Sequence, residues 1–123
     1  MTIQELYDQI GGSYDHAVRI MRMDKMISKY LLKLTDSDVC DKLKEAAGSM
    51  DPGALFESAH AMKGVCANLG LDDLAAAVSE VTEEYRPGAG RKLSDDEVKA
   101  KLDEIFSKFE KTKAGIEEYK ASL

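Results

Sequence analysis

His60 is the residue of this 123-residue chain whose neighbours are best suited to chemistry, because Lys63 follows three residues later and Gly64 four residues later. A helix advances about 100° per residue, so both neighbours lie one turn from the histidine on the same helix face. A solvent-exposed imidazole is largely neutral near neutral pH, and its unprotonated ring nitrogen can act as a nucleophile. The lysine would place positive charge beside an anion carried by the ring. The spacing therefore predicts a histidine that takes up an anionic group.

The helix face around His60 is unusual for a solvent-exposed surface, since it includes Phe56 and Ala67. A glycine inside a helix is destabilising by roughly 0.5 to 1 kcal/mol relative to alanine, so Gly64 requires a reason. A large partner that approaches the histidine would supply one, because a side chain at position 64 would obstruct it. We expect Phe56, Ala61 and Ala67 to form a flat docking patch, unless Phe56 packs between helices instead. The opposite, core face is expected to comprise Leu55, Ala59, Met62, Val65, Cys66 and Leu69.

No further catalytic machinery accompanies the histidine. The sequence shows no convergent carboxylates and no glycine-rich loop that could cradle a phosphate. The features together predict that His60 accepts a phosphoryl group and hands it on as a noncatalytic carrier. The chemistry of the transfer, including any Mg²⁺, would then come from a partner. We expect no metal and no cofactor on this chain itself.

The segment from Ala59 to Gly64, followed by Leu69 and Gly70, resembles the A-H-x-[LM]-K-G-x₄-L-G signature of histidine-containing phosphotransfer (HPt) domains. The resemblance implies a four-helix bundle of a two-component phosphorelay. Such a bundle shuttles phosphoryl groups between aspartates of response-regulator receiver domains, or takes one from a hybrid kinase. The resemblance also implies that His60 is phosphorylated, that Lys63 sits beside the phosphoryl group and that Gly64 leaves room for the receiver.

Two departures from the family pattern stand out. Cys66 occupies a position where relatives often carry a small polar residue. Some family members also place a basic or amide side chain of the next helix near the phosphohistidine. That helix carries Glu80, Glu83 and Glu84 on its polar positions here, so no such helper residue is predicted.

Apolar residues recur three and four apart along most of the chain, which predicts an all-α fold. Four long amphipathic helices with short connections favour an antiparallel up-and-down four-helix bundle, decorated by two short helices. We expect Tyr30 on the core stripe of the second helix, and Met21, Met23 and Met26 as core residues. The predicted helices run from about Ile3 to Ile10, Ser13 to Leu34, Val39 to Ala47, Pro52 to Leu69, Asp72 (as the cap) to Tyr85, and onward from a capping box at Ser94.

Composition excludes several classes of protein. The chain has 17 basic and 23 acidic residues, a net charge of −6, and no basic cluster, so nucleic acid and anionic membranes are poor partners. Hydrophobic content of 44% is too high for a disordered tail. There is neither a secretory signal nor an apolar run of the roughly 18 to 20 residues that span a membrane, so we expect a cytoplasmic protein.

The length favours a single domain over residues 1–123, acting as a monomer, with no room for a kinase or ATP site. Met1 and this length slightly favour a free-standing protein over a domain cut from a hybrid kinase. Cys40 and Cys66 lack any metal-ligand spacing and are expected to be reduced, buried and small hydrophobic residues.

Three other interpretations compete with phosphotransfer. Glu57 and His60 form a Glu-x-x-His pair as in di-iron bundles, but such a site needs a second copy, and His16 has Ser13 at the corresponding position. A thiol enzyme fails because Cys66 and His60 lie about 120° apart on one helix. A plain helical interaction module remains the serious alternative. The sequence identifies neither the cognate kinase and regulator nor the direction of phosphoryl flow.

Overall fold

The computed structural model describes residues 1–123 and contains seven helices and no strands, which confirms the all-α prediction. None of the helices is both long and apolar enough to cross a membrane. The helices are α1 (Ile3–Gln9), α2 (Tyr14–Met21), α3 (Asp24–Thr35), α4 (Val39–Ser49), α5 (Pro52–Asn68), α6 (Asp72–Glu84) and α7 (Asp95–Ala121).

The start of α5 follows the predicted capping pattern. The Asp51 side chain accepts a hydrogen bond from the Ala54 amide at 2.9 Å, and Pro52 occupies the first helical position. The predicted capping box at Ser94 is also present, with Ser94 and Glu97 each bound to the other's backbone amide. Asp72 is the first residue of α6 rather than its cap, and no side chain caps that helix.

The prediction of one continuous helix from Ser13 to Leu34 is wrong, because the helix is interrupted between α2 and α3. Arg22 adopts a left-handed conformation with φ of 74° and ends α2, and Asp24 begins α3. The Tyr14 hydroxyl donates to the Asp24 carboxylate at 2.5 Å and so ties the two helices together. The sequence already indicates this interruption, because the next residues of the apolar stripe, Met26 and Ile27, follow Met21 at five and six positions, where a continuous helix needs three or four.

A single cluster of 27 buried apolar residues forms the core. Helices α4, α5, α6 and α7 contact one another in a closed cycle, and α3 packs against α7. The flank of α5 that carries His60, Ala61 and Gly64 remains open to solvent. Three residues predicted to lie in the core are instead exposed at its edge: Tyr30 is 37% exposed, Val65 36% and Met23 55%. Met21 and Met26 are half-buried.

The carboxyl end of α5 is held by the N-terminal part of the chain. The Tyr7 hydroxyl donates to the Leu69 carbonyl at 2.6 Å, and the Ser13 amide donates to the Gly70 carbonyl at 2.8 Å. Gly70 has φ of +67°, and a Cβ there would lie 2.6 Å from the Ser13 carbonyl oxygen. Only glycine therefore allows the chain to turn from α5 into α6 at this close approach.

The connection from α6 to α7 is organised by a buried carboxylate. Glu84 accepts hydrogen bonds from the amides of Lys92 and Leu93 and from Arg91 Nε, at 3.0 to 3.1 Å. Burial alone would raise the pKa of the Glu84 carboxyl, but the two amides and the Arg91 guanidinium outweigh it and lower the pKa. This arrangement fixes the loop that follows α6, and Arg86 begins that loop.

Candidate functional site

His60 lies in the middle of α5 with its side chain exposed to solvent, as the helical periodicity predicts. Its ring contacts the Phe56 ring one turn earlier, with 5.4 Å between ring centres and 38° between planes. Neither ring nitrogen has a hydrogen-bond partner within the protein. The nitrogen lone pair is therefore available to an incoming group.

The surface beside His60 is a shallow depression along the open side of α5. A Cβ built on Gly64 would meet no atom within 4 Å, so no intramolecular contact requires glycine at this position. The helix backbone is thus bare next to the imidazole, and the space in front of it is free for another molecule. The residues that line the depression are Phe56, Glu57, His60, Ala61, Gly64, Val65 and Asn68.

The structure brings some of the predicted docking residues together and not others. Ala61 is exposed and lines the depression, whereas Phe56 is half-buried and packs against the core. Ala67 is half-buried and does not line the depression. Val65 and Asn68 take its place, so the exposed face of α5 is turned away from α6 relative to the predicted one. The extensive packing of α6 on α5 causes this rotation of the exposed face about the helix axis. The periodicity of α5 alone does not predict it.

Two cations and one carboxylate lie along the other side of His60. The Arg86 guanidinium forms a two-point contact with the Glu83 carboxylate, with both N–O distances at 2.9 Å. Lys63 Nζ lies 3.8 Å from the same carboxylate. The Arg86 hydrogen bonds, together with the positive charges of Arg86, Lys63 and a protonated His60, lower the pKa of Glu83. The guanidinium carbon also lies 5.4 Å from the centre of the Phe56 ring.

Arg86 is the charged residue that sequence reasoning missed. The sequence pattern places it in a loop, and the polar positions of α6 offer only glutamates. The three-residue spacing from Glu83 to Arg86 continues the helical repeat just beyond the end of α6, and this spacing is the available signal. The helix after α5 thus carries no basic residue, as the sequence indicates, and the cation that contacts Glu83 and Phe56 comes from the loop that follows α6.

A second, apolar groove adjoins the depression. It has a volume of about 430 Å³ and shares Val65 and Asn68 with the depression beside His60. Tyr30 contributes an exposed aromatic ring to its wall. The remaining lining residues are Met21, Lys33, Leu34, Ser37 and Leu69. The depression and the groove thus join into a largely apolar surface that extends from His60 to the α2–α3 segment.

The two cysteines are separate from this surface. Both are free and buried, as predicted. Burial raises the pKa of the Cys40 thiol to about 11 and that of Cys66 to about 12, so both remain protonated near neutral pH. No group of three or more His, Cys, Asp or Glu side chains is arranged to hold a metal ion.

The Hpt domain family model matches residues 32–111, which include His60, Lys63, Gly64 and Arg86. The match covers more than half of the chain, and the protein therefore belongs to the Hpt domain family. Members of this family are phosphocarrier modules that act through histidine phosphotransfer in phosphorelays. No curated protein and no solved structure matches the chain.

Proposed function

We propose that His60 is the phosphoryl acceptor of this Hpt domain. The observation that carries the proposal is an exposed imidazole without a protein partner, placed beside the bare backbone of Gly64 on the open flank of α5. The residue lies within the family match, and the chain's other histidine, His16, lies outside it.

The carrier takes its phosphoryl group from a receiver-domain aspartate, or from a hybrid kinase, and passes it to another receiver. In the first transfer the unprotonated ring nitrogen of His60 attacks phosphorus, and an N–P bond forms. The P–O bond to the aspartate breaks, and the carboxylate leaves with the electron pair. The other ring nitrogen keeps its proton. The Mg²⁺ that stabilises the phosphoryl charge would be bound by the receiver, and this chain needs no cofactor of its own.

Lys63 and Arg86 supply positive charge beside the phosphoryl group. Lysine and arginine both bind phosphate, and the planar guanidinium does so through two hydrogen bonds at once. Gly64 lets the receiver approach the ring without obstruction.

The receiver docks on the apolar surface that continues from the His60 depression into the groove of Val65, Asn68 and Tyr30. Ala61 and the exposed edge of Phe56 belong to the same contact. The net charge of −6 is compatible with this arrangement, because the docking surface is largely apolar, and of the acidic residues near His60, Glu83 is paired with Arg86 and Lys63 while Glu57 lies at the edge of the depression.

Residues 1–123 act as one carrier unit in this proposal, with α4, α5, α6 and α7 as its antiparallel four-helix bundle. The single buried core and the closed cycle of contacts between these four helices support that arrangement.

Labelling by a phosphorylated receiver tests the acceptor. The full chain is mixed with receiver domains phosphorylated by a small-molecule donor, and transferred phosphate is assayed for acid lability and alkali stability, as expected of phosphohistidine. We expect labelling of the wild type and of His16→Gln, and none of His60→Gln. Label on His60→Gln at the wild-type level would refute the proposal.

A helical interaction module that is never phosphorylated is the second candidate, and the groove beside Val65 is the observation that favours it. It predicts that receivers, or other partners, bind the chain without transferring label. Binding without transfer by the wild type, tested over a panel of receivers, would support this alternative.

A further inference from the structure

Glu83 contacts both cations of the His60 site, and phosphorylation would bring a second anion to the same two groups. We propose that Glu83 competes with the phosphoryl group for Arg86 and Lys63, and thereby destabilises phosphohistidine and favours onward transfer. This inference rests on the proposed function of His60.

The contacts of Glu83 show that it already pairs with both cations in the unphosphorylated protein. Both of its carboxylate oxygens accept from Arg86, one from Nε and the other from Nη2. Lys63 Nζ approaches the oxygen that binds Nη2. A two-point contact between arginine and a carboxylate has the same geometry that arginine uses for phosphate. The phosphoryl group must therefore displace Glu83 or share the cations with it.

Both outcomes, sharing the cations with Glu83 and displacing Glu83 from them, raise the free energy of the phosphorylated state. If the cations are shared, two anions lie close together at a surface where their repulsion is only partly screened. If Glu83 is displaced, its carboxylate loses two charge-assisted hydrogen bonds. In either case the departure of the phosphoryl group relieves the cost.

The other two glutamates of α6 are committed elsewhere, which leaves Glu83 in this role. Glu80 pairs with Lys101 of α7. Glu84 is buried and holds Arg91 and the α6–α7 loop. Glu80 is exposed like Glu83 and also pairs with a cation, so Glu80→Gln controls for the loss of an ion pair on α6 away from His60.

Loss of the phosphoryl group follows the same bond changes for a receiver and for water. An aspartate oxygen of the receiver, or a water oxygen, attacks phosphorus while the N–P bond breaks, and the electron pair returns to the ring nitrogen of His60. With water, the products are the imidazole and inorganic phosphate, and the proton released goes to solvent. Glu83 takes no part in these bonds and acts only on the stability of the phosphorylated form.

The test uses phosphoramidate as the donor, so that no particular receiver is required. The full-length wild type, Glu83→Gln and Glu80→Gln are phosphorylated, freed of donor, and followed by ³¹P NMR at constant pH. We expect the phosphohistidine of Glu83→Gln to persist on the order of threefold longer than that of the wild type. Glu80→Gln should match the wild type.

Two results distinguish competition by Glu83 from a role in positioning Arg86: the lifetime in Glu83→Gln and the lifetime in a double variant. If Glu83 merely holds Arg86 in place, Glu83→Gln shortens the lifetime, and that result would overturn the inference, as would an unchanged lifetime. Competition further requires that the gain shrink when Arg86 is absent, so the double variant Glu83→Gln/Arg86→Gln is compared with Arg86→Gln alone, where only Lys63 remains contested. A gain that is undiminished there also contradicts it. Failure of the wild type to form any phosphohistidine would instead refute the proposed function itself.

Discussion

The two histidines of this chain lie on helix surfaces and differ in what surrounds them. His16, in α2, donates from Nδ1 to the Asp72 carboxylate at 2.9 Å and thereby links α2 to the first turn of α6. His60, in α5, contacts an aromatic ring and has no protein partner at either nitrogen. A neutral His16 that donates from Nδ1 keeps a lone pair on Nε2, so the two rings differ in the space and the partners around them rather than in the presence of an unprotonated nitrogen.

The approach to the two rings also differs. Gly64 leaves the backbone beside His60 open, and a depression and a groove adjoin it. His16 is only half-exposed, and its ring is joined to a neighbouring helix. We therefore expect substitutions near His60 to change phosphoryl transfer, and substitutions near His16 to change only stability.

Closing the space beside His60 should have the largest effect. Gly64→Gln places a long side chain where the receiver must approach, and we expect transfer from a receiver to slow on the order of 100-fold. Phosphorylation by phosphoramidate should change little, because the small donor needs less room. Gly48→Gln is the matched control, since Gly48 also lies in a helix and a Cβ added to it would meet no atom within 4 Å. Near-normal transfer by Gly64→Gln would remove the steric account.

Charging the apolar surface should have the next largest effect. Val65→Asp places a carboxylate where the depression meets the groove, and we expect receiver transfer to weaken by about tenfold through poorer docking. The residue is partly exposed, so the fold should survive, which circular dichroism can verify. Ala76→Asp, on the exposed side of α6, is the control. Equal transfer by the two variants would place the receiver elsewhere.

Removing a cation should shorten the life of the phosphorylated form without preventing its formation. We expect Lys63→Ala and Arg86→Gln each to reduce the phosphohistidine half-life by about threefold, because each removes an exposed ionic partner of the phosphoryl group. Lys99→Ala, an exposed lysine of α7, serves as the control. Unchanged half-lives, measured by ³¹P NMR, would show that the two cations do not contact the phosphoryl group.

Freeing His16 should have the smallest effect. Asp72→Asn weakens an exposed hydrogen bond to His16, and we expect it to lower the free energy of unfolding by less than about 1 kcal/mol. Denaturant titration measures that loss. Receiver-dependent label should still be confined to His60, because His16 lacks the open backbone and the adjoining groove. Label on His16 in this variant would show that the Asp72 pairing alone distinguishes the two histidines.

The features that depend on one helix can be predicted from the sequence, and those that depend on several helices cannot. The cap at Asp51, the capping box at Ser94 and the exposed position of His60 follow from local patterns and are all present. The exposure of Val65 depends on how α6 packs against α5, which a single-helix pattern does not contain. The position of Arg86 depends on the turn beyond α6.

The break at Arg22 is a different case, because its signal is present in the sequence. The apolar stripe loses its three-and-four spacing after Met21, and the structure ends α2 there. The break positions Met21 and Tyr30 on the wall of the groove that adjoins His60. A local irregularity in the pattern thus determines part of the candidate docking surface.

The most direct test of the account is to observe both imidazole rings during transfer. Long-range ¹H–¹⁵N correlation spectra of the full chain resolve the ring nitrogens of His16 and His60, assigned with the single His→Gln variants. After addition of a phosphorylated receiver, one nitrogen of His60 should shift strongly while both nitrogens of His16 stay in place. A shift of His16 instead, or no change at His60 while label accumulates on the chain, would contradict the central claim.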